Sequence, residues 1–196
     1  MTKPTVGFAL CGSFCTFGKV LPVMRALTEN YTVIPIMSFN ACTTDTRFGK
    51  AADFNAEIES ICGRDIIRTL TQAEPIGPKK LLDALIIEPC TGNTLAKLAC
   101  GIADTPVTLA AKAHLRNARP LIIAVSTNDA LSGAAKNIGA LENYKNVFFV
   151  PYAQDDSENK PASLVARFEL TEKTLALALQ GKQAQPLLVP PREAAP

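Results

Sequence analysis

Short runs of almost wholly apolar residues alternate along this chain with longer segments whose apolar residues recur at helical spacing. The apolar runs cover residues 5–10, 32–37, 66–69 (a weaker run), 84–87, 121–125 and 147–150. Strands buried on both faces have this composition, which is typical of parallel sheets. The helical segments cover residues 19–28, 47–61, 94–103, 107–116, 134–142 and 164–179. The alternation predicts an α/β fold, a doubly wound parallel sheet of the Rossmann-like, flavodoxin-like kind with helices on both faces.

The pattern indicates one domain followed by a tail. The chain has 196 residues, the length of a single domain, and no repeat or linker divides it. We expect an α/β domain over residues 1–180 and a proline-rich tail over residues 181–196. The prolines of the tail are Pro186, Pro190, Pro191 and Pro196. The tail has no helical spacing, so we expect it to be extended, either disordered or laid across a neighbouring subunit.

Composition argues against several classes of function. Apolar residues make up 47% of the chain and charged residues 19%, a globular balance, and the formal net charge is only +2. That charge is too small to predict binding to nucleic acid or to a membrane surface. The first apolar run is shorter than a signal-peptide core, and none approaches the roughly 20 apolar residues of a membrane span. We therefore expect a cytoplasmic protein.

The six cysteines and the single histidine show no zinc-ligand spacing. Reduced, mostly buried thiols are the simpler interpretation. A reactive Cys11 or Cys15 in the first loop is the alternative. His114 falls within a predicted helix, away from the strand ends, and we expect it to pack there or to lie on the helix surface.

The loops beyond the carboxyl ends of parallel strands are where ligands of such sheets bind. After the first strand, Gly12 allows a sharp turn, and Ser13 or Thr16 can cap the next helix, whose N-terminus attracts phosphate. Ser38 follows the second strand and can reach the same phosphate, with a solvated loop as the alternative. Because the first loop does not contain GxGxxG, a dinucleotide site is not predicted there.

Two further loops carry neutral hydrogen-bonding groups at adjacent strand ends. Pro89 is expected to end its strand, and Gly92 frees the backbone behind it. The polar side chains are Thr91, Asn93 and Thr94 in one loop, and Ser126 and Asn128 in the other. An asparagine amide both donates and accepts, which suits the polar edge of a heterocycle. Together the loops predict a pocket for an anionic, nucleotide-like ligand.

Residues 89–104 resemble the Pro-x-Thr-x-Asn-Thr…Lys…Ala-x-Gly…Asp signature of the FMN-binding flavoprotein superfamily. This superfamily includes phosphopantothenoylcysteine decarboxylases, peptidyl-cysteine decarboxylases and flavin prenyltransferases. The resemblance implies FMN as cofactor and a homo-oligomer. It implies a flavin site made of Gly12, Ser13, Ser38, Thr91, Asn93, Thr94, Ser126 and Asn128. We expect the phosphate at Gly12, Ser13 and Ser38, and the ring system near Thr91, Asn93 and Ser126.

Within the superfamily, the chain resembles the B subunits of dipicolinate synthases. The segments that carry this resemblance are residues 12–16, 43–49, 73–79, 124–131, 150–156 and 179–186. It implies a part in oxidising dihydrodipicolinate to dipicolinate for bacterial spores, beside an A subunit that binds NADP. The substrate is then a small dicarboxylate. Lys79, Lys80, Arg47 and Lys97 are candidate partners for it, each otherwise a surface cation.

Two departures argue against cysteine decarboxylation. The cysteine decarboxylases carry a histidine in the loop before the Pro89 strand, whereas residues 74–79 contain none, and residues 126–129 replace a Pro-x-Met-Asn segment. Two hypotheses stay open: an enzyme subunit that uses FMN in dipicolinate formation, and a flavin-binding or scaffolding subunit without chemistry of its own. Another decarboxylase-like or prenyltransferase-like activity is a further alternative. No catalytic residue follows from the sequence.

Overall fold

A computed structural model of the protein describes residues 3–190. At its centre lies a seven-stranded sheet in the order β2-β1-β3-β4-β7-β6, with β5 also paired to β4. The strands are β1 (Thr5–Leu10), β2 (Thr32–Met37), β3 (Ala84–Cys90), β4 (Leu121–Thr127), β5 (Val147–Phe149), β6 (Tyr152–Asp156) and β7 (Lys160–Ala166). β1 to β5 pair in parallel in the order 2-1-3-4-5, which is that of flavodoxin-like sheets.

The two central strands are the most deeply buried. All residues of β3 are buried, and in β4 only Thr127 is partly exposed. Their residues are mostly apolar because helices pack on both faces of the sheet, so that no face remains for polar side chains. The core therefore runs along β1, β3 and β4, whose carboxyl ends point to one edge of the molecule.

Helices form a layer on each face of this sheet. They are α1 (Phe17–Asn30), α2 (Phe39–Thr43), α3 (Ala51–Cys62), α4 (Leu70–Ala73), α5 (Gly92–Ala99), α6 (Pro106–Leu115), α7 (Ala135–Glu142) and α8 (Thr171–Ala178). α1 contacts α3 and α8, whereas α5 contacts α6 and α7, and α4 contacts α6. α1 buries Phe17, Val20, Met24 and Leu27 at spacings of three and four residues, the spacing of one helix face. The predicted fold class is confirmed.

The predicted helix over residues 164–179 is wrong in its first part. Residues Lys160–Ala166 form β7, which pairs antiparallel with β6 and with the end of β4 at Ser126 and Thr127. After a 3₁₀ turn at Phe168–Leu170, α8 begins at Thr171. The sheet is therefore mixed, with an antiparallel hairpin beside the carboxyl end of β4.

Local turn chemistry explains the hairpin. The Asp156 carboxylate accepts hydrogen bonds from the N–H groups of Glu158 and Asn159, at 3.2 and 2.9 Å. An aspartate that binds the backbone two and three residues ahead favours a tight turn. The prediction missed this turn because Leu164, Phe168 and Leu175 also fit helical spacing.

Pro89 does not end its strand. β3 continues to Cys90, with a shift in its pairing to β4 after Ile87, and the peptide bond between Glu88 and Pro89 is cis. The strand continues because it pairs with β4 again at Cys90, opposite Val125.

Three other predicted elements are shorter than expected. Residues 66–69 form only an isolated parallel bridge between Ile67 and Ile36. α3 begins at Ala51 rather than at residue 47, since the Asp45 carboxylate accepts the Ala51 N–H at 2.8 Å. α5 ends at Ala99 rather than at residue 103.

The described part of the tail lies on its own chain. The Tyr152 N–H donates to the Leu187 carbonyl at 3.0 Å, and the Val189 N–H donates to the Tyr152 carbonyl at 3.1 Å. The Arg167 guanidinium donates to the Pro190 carbonyl. Residues 191–196 lie outside the described residues. Between residues 3 and 190, no helix has the length and apolar character needed to cross a membrane.

Candidate functional site

Two cavities open side by side at the carboxyl edge of the parallel strands, and both are lined by Gly12 and Thr91. The first, called the Ser38 cavity, has a volume of about 360 Å³ and is lined also by Cys11, Ser38, Phe39, Asn40, Asn93, Thr94, Lys97 and Thr105. The second, called the Ser126 cavity, has a volume of about 550 Å³ and is lined also by Ser13, Phe14, Cys15, Thr16, Lys19, Thr46, Phe48, Ser126, Thr127, Asn128, Asp155, Lys160 and Val165. Together they form one groove across the ends of β1, β3 and β4.

The groove collects every residue that the sequence predicts for the flavin site. The Ser38 cavity holds Ser38, Asn93 and Thr94; the Ser126 cavity holds Ser13, Ser126 and Asn128; Gly12 and Thr91 line both. These residues lie at or just beyond the carboxyl ends of β1, β2, β3 and β4, which are far apart in the sequence. The parallel sheet brings them together because these four strand ends share one edge.

Ser13 connects the loop after β1 to the end of β4. Its hydroxyl lies 2.8 Å from that of Ser126, a residue 113 positions later in the chain. Neither Ser13 nor Thr16 caps a helix with its side chain, because the Thr16 hydroxyl donates instead to the Ser13 carbonyl at 2.7 Å. The expected capping role is therefore wrong, and the Ser13 hydroxyl lies on the cavity wall.

Ser38, by contrast, does cap a helix. Its hydroxyl accepts the Ala41 N–H at 3.3 Å at the start of α2. One hydroxyl oxygen can accept that bond and still donate to a ligand, since a serine offers one donor and two acceptor lone pairs. The capping contact therefore orients Ser38 toward the Ser38 cavity without using up its donor.

Thr91 and Thr94, at the start of α5, are held in place by hydrogen bonds within the protein. The Thr94 N–H donates to the Thr91 hydroxyl oxygen at 3.5 Å, and the two hydroxyls are 3.2 Å apart. The Thr94 hydroxyl also donates to the buried Cys11 sulfur at 3.2 Å. Thr94 is thus mainly a support for the loop, whereas Thr91 faces both cavities.

Two asparagine side chains offer unused hydrogen-bonding groups. Asn93 and Asn128 are exposed, and within residues 3–190 neither side chain has a hydrogen-bond partner. Asn93 lies in the first turn of α5, not in the preceding loop as the sequence predicts. Each amide can therefore bind a ligand without first breaking a bond within the protein.

Gly92 permits the start of α5 to approach the segment at the end of β4. A Cβ atom at Gly92 would lie 2.7 Å from an Asp129 carboxylate oxygen and 2.8 Å from the Thr127 hydroxyl. That hydroxyl donates to the same Asp129 oxygen at 2.5 Å. A side chain at position 92 would push Thr127 and Asp129 away and deform the wall of the Ser126 cavity.

The cations of the two cavities differ in their partners. Lys97 in the Ser38 cavity pairs with Asp104 at 2.8 Å, and this hydrogen bond lowers the pKa of Asp104. In the Ser126 cavity, Lys160 pairs with Asp155 at 3.2 Å. Lys19 has no ion pair among the described residues. The Ser126 cavity therefore carries an excess of positive charge.

The other cations suggested by the sequence, Lys79, Lys80 and Arg47, line neither cavity. Lys79 and Lys80 precede β3 and so lie at the amino edge of the sheet, opposite the groove; Arg119, which precedes β4, donates to the Lys80 carbonyl at 3.0 Å. The Arg47 guanidinium lies 4.9 Å above the Phe48 ring at the rim of the Ser126 cavity. Neither Lys79 nor Lys80 can contact a ligand in the groove.

Burial determines the charge state of the Cys11 thiol, which lines the Ser38 cavity. It raises the pKa of the Cys11 thiol to about 11, despite the hydrogen bond from Thr94, so this thiol is uncharged at neutral pH. This argues against a reactive Cys11. Cys15, the other candidate, is exposed on the rim, 3.9 Å from the Ser13 hydroxyl.

His114 and Glu88 are two further buried titratable groups. Burial lowers the pKa of His114 to about 4, and its Nε2 lies 3.0 Å from the Pro120 carbonyl, so it is a packing residue. Burial raises the pKa of Glu88 to about 8, although the Thr171 hydroxyl donates to one of its oxygens at 2.6 Å. Its other oxygen is buried without a hydrogen-bond partner in the described chain.

Several lining residues escaped the sequence analysis. They are Lys19, Phe39, Asn40, Thr105, Asp155 and Lys160. Asp155 and Lys160 belong to the hairpin that was predicted in part as helix. The run of polar residues from 155 to 160 between two apolar stretches was the signal for this hairpin. Among residues 3–190, no cluster of three metal-ligating side chains occurs.

Comparison with known proteins agrees with this geometry. The sequence profile of the family described as Flavoprotein matches residues 1–175. The chain is 44% identical over 185 residues to the B subunit of dipicolinate synthase of Bacillus subtilis (strain 168), covering 94% of this chain and 92% of that protein. The crystal structure of the dipicolinate synthase B subunit from Bacillus halodurans C superposes with a TM-score of 0.87 at 43% identity, over 95% of this chain and 96% of that one.

A more distant structure shares the fold. The FMN-dependent cysteine decarboxylase SpaF superposes with a TM-score of 0.62 at 21% identity, over 90% of this chain and 95% of that one. The family match extends over most of the chain, and the two dipicolinate synthase relatives are similar along nearly their whole length. This chain therefore belongs to the Flavoprotein family and is a homologue of the B subunit of dipicolinate synthase.

Proposed function

We propose that this chain is an FMN-binding subunit that takes part, with a nicotinamide-binding partner, in oxidising dihydrodipicolinate to dipicolinate. The observation that carries the proposal is the groove, where four loops place neutral hydrogen-bonding groups around two joined cavities. Ligand pockets typically have volumes of about 300–1,000 Å³ and a few well-placed polar groups. Dipicolinate as the product is supported by the homologue, the B subunit of a dipicolinate synthase, and dihydrodipicolinate is the substrate that a two-electron oxidation to this product requires.

The residues present fit an FMN molecule. In the proposal its phosphate lies at Gly12, Ser13 and Ser38, where hydroxyl groups can donate hydrogen bonds. Its ring system lies near Thr91, Asn93 and Ser126, and the free amide of Asn93 can donate and accept along the ring's polar edge. Gly12 has no side chain, and this leaves open the place where the two cavities meet. A bound flavin supplies a two-electron acceptor.

The proposed reaction needs a final electron acceptor. Conversion of dihydrodipicolinate to dipicolinate removes two electrons and two protons, equivalent to a hydride and a proton. NADP⁺ can take the hydride, but the first loop of this chain contains Gly12 and Ser13 in place of the glycine-rich dinucleotide fingerprint. We therefore assign NADP to the partner, an A subunit.

The proposal includes a homo-oligomer in the cytoplasm. Phe39 and Phe48 are exposed by 44% and 47% at the rim of the groove, where apolar surface is suited to contact with another subunit. All six cysteines are free, which fits a reducing compartment.

The test is a reconstitution of dipicolinate formation. Absorbance of dipicolinate is followed with this chain alone, with the A subunit alone and with both, in the presence of NADP⁺ and FMN. We expect rapid formation only with both chains, and a reduced rate with Asn93→Ala. Full activity of the A subunit alone would make this chain accessory. Full activity of this chain alone would contradict the assignment of NADP to the partner.

A second experiment tests whether the chain decarboxylates cysteine-containing substrates. The loop over residues 74–79 contains no histidine, so we expect no decarboxylation of phosphopantothenoylcysteine or of a peptide with a C-terminal cysteine. Release of CO₂ from either substrate by the purified, FMN-loaded chain would return the protein to the decarboxylase-like group.

A further inference from the structure

We infer that the Ser126 cavity contains a subsite for a small dicarboxylate dianion, held by Lys19 and Lys160. This inference rests on the proposed function, which supplies a dicarboxylate substrate. It goes further by naming the side chains that recognise the two carboxylates. Both lysines line the same cavity as Ser13 and Ser126, so the subsite adjoins the place proposed for the flavin.

Lys19 lies where a positive charge slightly destabilises its helix. It lies in the first turn of α1, where the helix dipole disfavours a positive charge. That turn contains no acidic residue, and no carboxylate pairs with Lys19 within the described chain. A cation that lines a cavity and has no ion pair among residues 3–190 is available to an anionic ligand.

Lys160 approaches the same cavity from the hairpin. It is the first residue of β7, and its ammonium group lies 3.2 Å from the Asp155 carboxylate. Asp155 is the single acidic residue among those that line the cavity, against two lysines. Because the side chains of Lys160 and Asp155 are exposed by 51% and 36%, the pair is weak and a ligand carboxylate can compete with Asp155 for the ammonium group.

The other candidate cations are less suitable. Lys97 lines the Ser38 cavity but is neutralised by Asp104 at 2.8 Å. Lys79 and Lys80 lie at the opposite edge of the sheet, before β3. The Arg47 guanidinium lies over the Phe48 ring and does not itself line the cavity. The pair formed by Lys19 and Lys160 is therefore the arrangement in the groove that can meet two carboxylates with two cations.

Calorimetry on the FMN-loaded protein tests the inference. The probes are pyridine-2,6-dicarboxylate and its monoacid analogue, pyridine-2-carboxylate. The variants are Lys19→Met, Lys160→Met and Asp155→Asn, since methionine keeps an unbranched apolar side chain and removes the charge. Lys79→Met, which removes a lysine at the opposite edge of the sheet, is the matched control.

We expect the diacid to bind more tightly than the monoacid, by about tenfold, because one added charge-assisted contact has this size. Lys19→Met and Lys160→Met should each remove most of that preference. Asp155→Asn should strengthen diacid binding by about twofold to fivefold, since it frees Lys160 from a weak exposed pair. Lys79→Met should change nothing.

Three results would overturn the inference. The first is equal affinity of the wild type for the two acids. The second is an unchanged diacid affinity in both lysine variants. The third is a loss of FMN affinity, not diacid affinity, in Lys19→Met, which would make Lys19 a phosphate ligand. Dipicolinate formation with the A subunit is measured in parallel: if the wild type forms it while these lysine results fail, the subsite is wrong and the proposed function stands.

Discussion

The Ser38 cavity and the Ser126 cavity share Gly12 and Thr91 but differ in charge. In the first, the lining cation Lys97 is paired, and the remaining polar groups are neutral hydroxyls and amides. In the second, two lysines face one aspartate. The first is thus suited to hydrogen bonding by neutral groups, and the second also to an anion. In the proposal the flavin contacts both cavities, whereas the charged substrate contacts the lysines of the Ser126 cavity.

The two cavities also differ in the secondary-structure elements that build them. The residues common to both cavities follow strands β1 and β3 of the parallel sheet, which the fold class alone places at one edge. The charged residues Asp155 and Lys160 belong to the antiparallel hairpin of β6 and β7. The neutral part of the groove is therefore built at the edge of the parallel sheet, and part of its charge depends on an added element.

The largest effect is expected from Glu88, which is fully buried in β3. Its folded-state pKa of about 8 lies above the ordinary value of 4.5, so between these values the folded chain holds a proton that the unfolded chain has lost. Its contribution to stability is complete below pH 4.5 and is lost as the pH rises to about 8. In Glu88→Gln this loss should disappear.

Urea denaturation at pH 5, 6, 7 and 8 checks this. The free energy of unfolding of the wild type should fall relative to that of Glu88→Gln by up to about 1.4 kcal/mol per pH unit. The contribution of His114 cancels in the comparison, since both proteins contain it. FMN affinity should be equal in both, because Glu88 lines neither cavity. Parallel stability curves would show that Glu88 is ionised in the folded protein.

Gly12→Ala should affect both cavities at once. The added Cβ would meet only the Phe14 ring at 3.5 Å, an ordinary contact, so the fold should tolerate it. The methyl group would enter the groove where the two cavities meet, and FMN binding should weaken by about 1–3 kcal/mol, the usual cost of overpacking. FMN titration with a thermal melt checks both points; an unchanged affinity would move the flavin away from Gly12.

Asn93→Ala should affect the Ser38 cavity alone. Asn93 is exposed in the first turn of α5, where alanine is a good helix former, so stability should hold. Loss of its amide should weaken FMN binding toward the lower end of about 1–3 kcal/mol, because solvent reaches this site. Binding of pyridine-2,6-dicarboxylate to the FMN-loaded variant should persist. Unchanged flavin affinity would remove Asn93 from the site.

The fold and the neutral part of the site follow from the sequence because their signals are local. Buried parallel strands are continuous apolar runs, and the small polar residues after them mark the ligand edge. Ser13 and Ser126 could be assigned to one site in this way, although their hydrogen bond spans 113 positions.

The remaining features depend on tertiary contacts that no local pattern encodes. The hairpin was hidden because Leu164 and Phe168 fit helical spacing as well as a strand and a turn. The extension of β3 through Pro89 depends on renewed pairing with β4 at Cys90. Lys19 looks like any exposed helix residue until the fold places it on the cavity wall. Lys79 and Lys80 are candidate carboxylate partners by sequence because their charge is known from the sequence, whereas their position at the amino edge of the sheet is not.

Calorimetric titration of FMN into protein stripped of ligand tests the central claim most directly. The claim is that the groove around Gly12 and Thr91 binds one flavin per chain. We predict saturable binding with one FMN per chain, weakened by Gly12→Ala and by Asn93→Ala and unchanged by Lys79→Met. Absence of binding at high micromolar FMN, with and without the A subunit, would contradict the claim, as would binding that none of these groove substitutions alters.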